Sequence, residues 1–275
     1  MNPPAETPPE PVLRPGSSAV LISIPHAGTW LPRDFQQRLT RPAAALPDTD
    51  WYVDRLYDWA QTLGAGLLMA PASRYIVDLN RPADDQPLYS ETTSSLLTGL
   101  FPLRTFTGES IYLPEHEPGA DECVRRLEDC WHPYHRCIES ELRRIQCRHG
   151  YAILLDAHSI KSKLPLLFEG VLADLNLGSN GGFSAHRSLL EVARLALTGA
   201  GFTLVVDGRF KGGYITRHYG QPQQGIHALQ LELGQQAYMH EEPPGWARDK
   251  AAVLQPVLRQ LVENLVNWSP PDAGN

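Results

Sequence analysis

Two histidines and a glutamate stand where a hydrolytic centre would need them. The apolar run Val-Leu-Ile-Ser-Ile-Pro leads into His26 and then Ala27-Gly28. The run Tyr-Ala-Ile-Leu-Leu-Asp-Ala leads into His158, with Asp156 just before it. The run Ala-Leu-Gln-Leu-Glu-Leu-Gly carries Glu232 between Leu231 and Leu233. Neutral imidazole is a good ligand for a divalent metal near pH 7, and a carboxylate completes such a set. A catalytic zinc site takes three protein ligands and leaves a position for water or substrate. A separate carboxylate is then needed to move the proton. Each residue has a plainer reading. A histidine at a strand end is commonly a hydrogen-bonded structural residue. Glu232 is the sharper signal, because alternation along a strand turns it away from both flanking leucines, and a buried carboxylate needs a partner.

The third ligand is open on position alone. Asp48, Asp50 and Asp54 lie around the start of a predicted helix over 51–63. Asp48 or Asp50 could cap that helix, and Asp50 and Asp54 lie one turn apart. A second set of residues handles anions. Arg74 begins the segment Arg-Tyr-Ile-Val-Asp-Leu-Asn-Arg that ends in Asn80 and Arg81. Arg209, Lys211 and Arg217 surround the pair Gly212-Gly213, with Thr216 beside them. Guanidinium groups match carboxylates, and glycines let backbone N–H groups approach an anion. An ordinary basic surface turn would read the same way.

The elements that must position these residues are short apolar runs alternating with amphipathic stretches. Strands are predicted over 19–24, 66–70, 75–79, 151–155, 203–206 and 228–233. Helices are predicted over 51–63, 121–149 (kinked or split by Pro133), 184–198 and 246–268 (interrupted by Pro256). That alternation predicts a mostly parallel sheet with helices on both faces, whose ligands bind beyond the carboxyl ends of the strands. The irregular stretch 81–118 reads as a long functional excursion. Residues 1–18, with six prolines, read as a disordered or loosely draped arm, 19–268 as one domain and 269–275 as a flexible tail.

Composition narrows the function classes. The net charge is −7, from 24 Lys and Arg against 31 Asp and Glu, which disfavours non-specific nucleic-acid binding. No run approaches the roughly 20 apolar residues of a membrane span. The N-terminus lacks the basic and apolar regions of a secretory signal. The four cysteines, Cys123, Cys130, Cys137 and Cys147, form no C-x-x-C pair and read as free thiols in a reducing cytoplasm. The oligomeric state is not fixed by these features.

Six segments together carry a resemblance: ISIPHAG (22–28), PDTDWYVDRLY (47–57), SRYIVDLNRP (73–82), LLDAHSIKS (154–162), DGRFKGGYITRHY (207–219) and HALQLELGQ (227–235). In this order they resemble the N-formylglutamate amidohydrolase family, over about 20–268. That family is similar in fold to zinc carboxypeptidases and the aspartoacylase group. The resemblance implies a three-layer α/β/α sandwich around a mixed, mostly parallel sheet and one divalent metal, with zinc expected. Carried over by position, it implies His26 and His158 as ligands, Asp50 as the carboxylate ligand with Asp54 in reserve, and Glu232 as the general base. Asn80 and Arg81 resemble a pair that grips a substrate carboxylate, with Arg74, Arg209, Lys211, Gly213, Thr216 and Arg217 as further substrate contacts. One departure stands out: carboxypeptidases take two ligands from H-x-x-E, and here the residue three after His26 is Thr29. The implied reaction is hydrolysis of a small dicarboxylate amide, N-formyl-L-glutamate, at the end of histidine degradation. A related metal hydrolase of another N-acyl amino acid or a peptide, and a non-catalytic binding protein on the same scaffold, are the alternatives.

Overall fold

The computed structural model describes residues 6–87, 98–199 and 201–271. Nine strands are designated in chain order: β1 (Val12–Arg14), β2 (Val20–Ile24), β3 (Gly66–Met69), β4 (Ala152–Ile160), β5 (Leu175–Gly178), β6 (Leu204–Val206), β7 (Ile226–Gly234), β8 (Met239–Glu241) and β9 (Pro244–Trp246). The first seven form one sheet in the order β1-β3-β2-β4-β7-β5-β6. The pairs β3-β2, β2-β4, β4-β7 and β5-β6 are parallel, while β1-β3 and β5-β7 are antiparallel. The strands β8 and β9 form a separate hairpin.

The helices are α1 (Arg33–Gln36), α2 (Arg41–Ala44), α3 (Val53–Leu56), α4 (Ala120–Arg126), α5 (His132–His149), α6 (Arg187–Leu197), α7 (Tyr214–Tyr219) and α8 (Arg248–Asn267). Each face of the sheet carries its own core. On one side Val20, Ile22, Ile153, Leu155, Leu229 and Leu231 pack beneath α6 and α8. On the other, Leu21, Leu154 and Ala228 meet α5 through Tyr134, Ile138, Leu142 and Ile145. This is the expected three-layer α/β/α sandwich with a mixed, largely parallel sheet. Among the described residues, no helix is long and apolar enough to cross a membrane.

Several local expectations are corrected. Within the Pro-rich arm, Val12–Arg14 is a strand that pairs with β3 and covers its edge. β5 was not anticipated, because its sequence Leu-Asn-Leu-Gly is too short to show a period. The run 75–79 is buried but makes no strand; its apolar composition reflects burial alone. The helix predicted over 51–63 is α3 followed by a 3-10 turn, Ala60–Leu63. Pro133 has no N–H to offer the Asp129 carbonyl, and a π-helical segment, Leu127–Trp131, joins α4 to α5. Pro256 leaves α8 unbroken, because it lies on the exposed side, where solvent can serve the freed carbonyl. Within the expected excursion 81–118, residues 88–97 lie outside the described residues, as do 272–275 of the tail.

Candidate active site

One face of the sheet changes character toward the carboxyl ends of its strands. The row Leu21–Leu154–Ala228 is apolar, as the core beneath α5 requires. The next row is Ser23–Asp156–Gln230, and beyond it His158 stands opposite Glu232. Register therefore brings the second histidine and the glutamate together, although 74 residues of chain separate them. Leu231 and Leu233 point into the other core, so alternation aims Glu232 as the sequence predicts.

His26 enters from the loop just after β2. That loop lies hard against the loop following β3: a Cβ on Gly28 would fall 2.4 Å from the Ala70 carbonyl oxygen, so no larger residue fits. Asp50 comes from the 46–52 turn, whose ends, Leu46 and Tyr52, hold positive φ angles of 50° and 63°. The Asp50 N–H donates to the His26 carbonyl at 3.0 Å, which ties the two loops together.

Side-chain atoms of His26, Asp50 and His158 that could ligate a metal all lie within 4.8 Å of one another, and all three residues are buried. Asp50 Oδ2 is 3.0 Å from His158 Nδ1 and 3.9 Å from His26 Nδ1. The outer nitrogens each face a second buried carboxylate. His158 Nε2 is 2.8 Å from Asp156 Oδ2, and His26 Nε2 is 2.9 Å from Asp78 Oδ1. Metal-binding histidines commonly have their far nitrogen on a carboxylate, which leaves the near lone pair for the ion. At His26 the proximity to Asp78 lacks hydrogen-bond alignment, so both ring nitrogens are unsatisfied. A buried imidazole with an unpartnered Nδ1, facing a carboxylate and a second imidazole, fits a divalent cation by donor chemistry and spacing. Asp54 is exposed and does not belong to this cluster, whereas Asp50 does.

The electrostatics follow from burial and crowding. Burial, with the nearby Arg74 charge, lowers the pKa of His26 despite Asp78 and Asp50. Burial also opposes charge on His158, but Asp156 and Asp50 outweigh it and raise its pKa well above the ordinary value. The Asp50 pKa is lowered: burial opposes ionisation, but the His158 hydrogen bond and the His26 and Arg74 charges prevail. Asp78 is held well below the usual carboxylate range by His26 and Arg74, again against burial. Glu232 goes the other way. Burial, helped by the Asp50 and Asp156 charges, pushes it to about 8 although His158 and Arg74 pull down. Its Oε2 accepts from Gln230 Nε2 at 3.2 Å, and Gln230 Oε1 in turn accepts from the Gly213 N–H at 2.8 Å.

The residues expected to bind substrate divide into distinct environments. Arg74 is buried among carboxylates: its Nη2 donates to Asp78 at 2.7 Å, its Nη1 lies near Asp50 at 3.5 Å, and its guanidinium covers the Phe106 ring. It balances the site's carboxylates from within. Asn80 is buried as well. Its Oδ1 accepts from the Ile215 N–H, capping α7, and its Nδ2 faces Asp156 and His158 at 3.2 and 3.0 Å. Gly213 belongs beside it, since a Cβ there would lie 2.4 Å from Asn80 Nδ2. Arg81 is half-buried, with Nε on the Thr98 carbonyl and Nη1 on the Asn80 carbonyl. Arg209 and Lys211 are exposed, Thr216 is buried with its hydroxyl unpartnered, and Arg217 Nε donates to the Gly212 carbonyl at 2.8 Å. Sequence reasoning left Asp78, Asp156 and Gln230 without roles. For Asp156 and Gln230 the signal was polar residues two apart on apolar strands.

The chain is similar to known proteins over most of its length. The family model for N-formylglutamate amidohydrolase matches residues 18–239. Over 255 residues, the chain is 49% identical to an N-formylglutamate deformylase of Pseudomonas aeruginosa and 46% identical to one of Pseudomonas putida. Each alignment covers 92% of this chain and 94% of the relative. The crystal structure of N-formylglutamate amidohydrolase from Ralstonia eutropha JMP134 superposes with a TM-score of 0.81 at 23% identity, covering 92% of this chain and 96% of that one. A protein of Agrobacterium tumefaciens shares the fold with a TM-score of 0.67 at 16% identity, covering 92% of this chain and 93% of its own. The matched span holds every residue of the His26–Asp50–His158–Glu232 constellation, and the chain belongs to the N-formylglutamate amidohydrolase family.

Proposed function

We propose that this chain hydrolyses N-formyl-L-glutamate to formate and L-glutamate, using one divalent metal, with zinc the expected ion. The observation that carries this reading is the buried His26–Asp50–His158 cluster with Glu232 beside His158 in register. The two similar deformylases, matched over nearly their full lengths, supply the substrate. His26 and His158 would hold the ion through Nδ1, with Asp50 as the anionic ligand. When bound, the ion supplies Lewis-acid polarisation of the formyl carbonyl and a lowered pKa for water.

The chain's own groups do the rest. Glu232 takes a proton from the attacking water as the water oxygen joins the formyl carbon. It then delivers a proton to the nitrogen as the C–N bond breaks, releasing formate and the glutamate amine. Burial raises the Glu232 pKa in the metal-free site, and a bound cation would pull it back toward the range in which the carboxylate is ionised and can accept a proton near pH 7. Gln230 limits its rotation. The substrate's two carboxylates need cations, which we assign to Arg81 and the 208–217 loop with Arg209, Lys211 and Arg217. Arg74 and Asn80 instead hold the ligand shell. We read residues 19–268 as one catalytic domain, because both cores share one sheet. The cysteines of the chain are free, which suits a cytoplasmic enzyme.

Formate release from formyl-, acetyl- and succinyl-glutamate, with and without a chelator, tests the proposal. A strong preference for the formyl compound that disappears with the metal is expected. Comparable rates on all three would favour a broader N-acyl-amino-acid hydrolase.

A further inference from the structure

Residues 76–80 are buried and Arg81 is half-buried, yet the segment pairs with no strand, so its carbonyls need other partners. Side chains from one helical unit supply three of them. Arg126 Nη1 donates to the Ile76 carbonyl at 3.0 Å, Trp131 Nε1 to the Arg81 carbonyl at 2.9 Å, and His135 Nε2 to the Leu79 carbonyl at 3.0 Å. Between these anchors lie Asp78, facing His26, and Asn80, facing His158.

The π segment explains how three such side chains can share one face. Residues five apart in an α-helix stand about 140° apart around the axis. A π turn closes its hydrogen bond five residues on and brings such a pair back into line. The π segment Leu127–Trp131 falls between Arg126 and Trp131. From Trp131 to His135 the spacing is four, and the ordinary α register of α5 suffices. The unit is locked further. The Trp131 and His135 rings stack at 3.8 Å, and His135 Nδ1 accepts from the Tyr219 hydroxyl at 2.8 Å, reaching α7. The Leu79 carbonyl can only accept, so Nε2 carries the proton, and burial, which lowers the His135 pKa to about 3, keeps the ring neutral with Nδ1 as the acceptor.

We propose that Arg126, Trp131 and His135 form a π-register clamp that sets the backbone of 76–81, making Trp131 and His135 positioning residues for Asp78, Asn80 and Arg81. The catalytic consequence rests on the reading above, in which Arg81 meets a substrate carboxylate.

The test uses the full-length, zinc-loaded protein with two readouts: kinetics on N-formylglutamate, and backbone deuterium uptake of 76–81 against α8. Trp131→Phe keeps the ring stack and deletes one N–H donor. It is expected to raise KM about five-fold, the scale of one hydrogen bond. Its kcat should stay within about two-fold, because the lost interaction is uniform binding. Exchange in 76–81 should speed while α8 is unchanged. His135→Leu should speed exchange there as well, and His135→Gln, which retains a donor, should restore it. The clamp is overturned if exchange in 76–81 is unchanged in both Trp131→Phe and His135→Leu. It is also overturned if exchange rises everywhere, or if Trp131→Phe lowers kcat and leaves KM alone. A wild-type chain inactive on N-formylglutamate would instead defeat the functional reading, and the exchange data would still decide the clamp.

Discussion

Replacing Glu232 with Gln should make the metal-free protein more stable while disabling it. The carboxyl is 7% exposed, and its described hydrogen-bond donor is Gln230. Burial raises its pKa from an ordinary 4.5 to about 8. A raised carboxyl pKa means that the folded state binds the extra proton between those two values. The stability this carboxyl contributes is fully present below pH 4.5 and is lost as pH rises toward 8. At pH 7 the loss spans roughly 2.5 pH units at about 1.4 kcal/mol each, or about 3 kcal/mol. Glu232→Gln nearly preserves shape and can still accept from Gln230, but it carries no charge to desolvate. Denaturant melts of metal-free wild type and variant should therefore separate by about 3 kcal/mol at pH 7 and converge below pH 4.5. The same variant, metal-loaded, should lose about 10²–10⁴ in rate, the usual scale for a general base. A variant no more stable than wild type at pH 7 would refute the buried-charge argument. A rate within ten-fold of wild type would refute the assignment of the base.

Two further predictions concern the ligand shell. Asp50→Ala should abolish tight zinc binding, measured by competition with a chromophoric chelator, whereas Asp54→Ala should bind as wild type; the reverse would reassign the anionic ligand. Asp78→Asn should weaken zinc by about 10–100-fold, the range for outer partners of ligating histidines. Unchanged affinity there would mean that Asp78 does not orient His26.

Legibility in the sequence followed the range of the interactions involved. The strand that leads to His26 and those that carry His158 and Glu232 were readable because a buried parallel strand is an apolar run, and alternation fixed the side Glu232 faces. The segment 75–79 misled for the same reason: burial makes a run apolar whether or not it pairs. For Asn80 and Arg74, candidate substrate contacts by sequence, local pattern does not show which neighbours a polar side chain engages within the fold. Only the fold reveals that Asn80 caps α7 and that Arg74 is surrounded by Asp50 and Asp78.

The chain's own order of residues determined the α/β class, the two histidines, the buried glutamate and the family, since each rests on local pattern or on motifs read in series. Tertiary structure alone brought Asp50 rather than Asp54 beside the two histidines, set His158 opposite Glu232, and gave each histidine its outer carboxylate. Those outcomes depend on sheet register and loop contact between residues far apart in sequence, and no local periodicity encodes such distances.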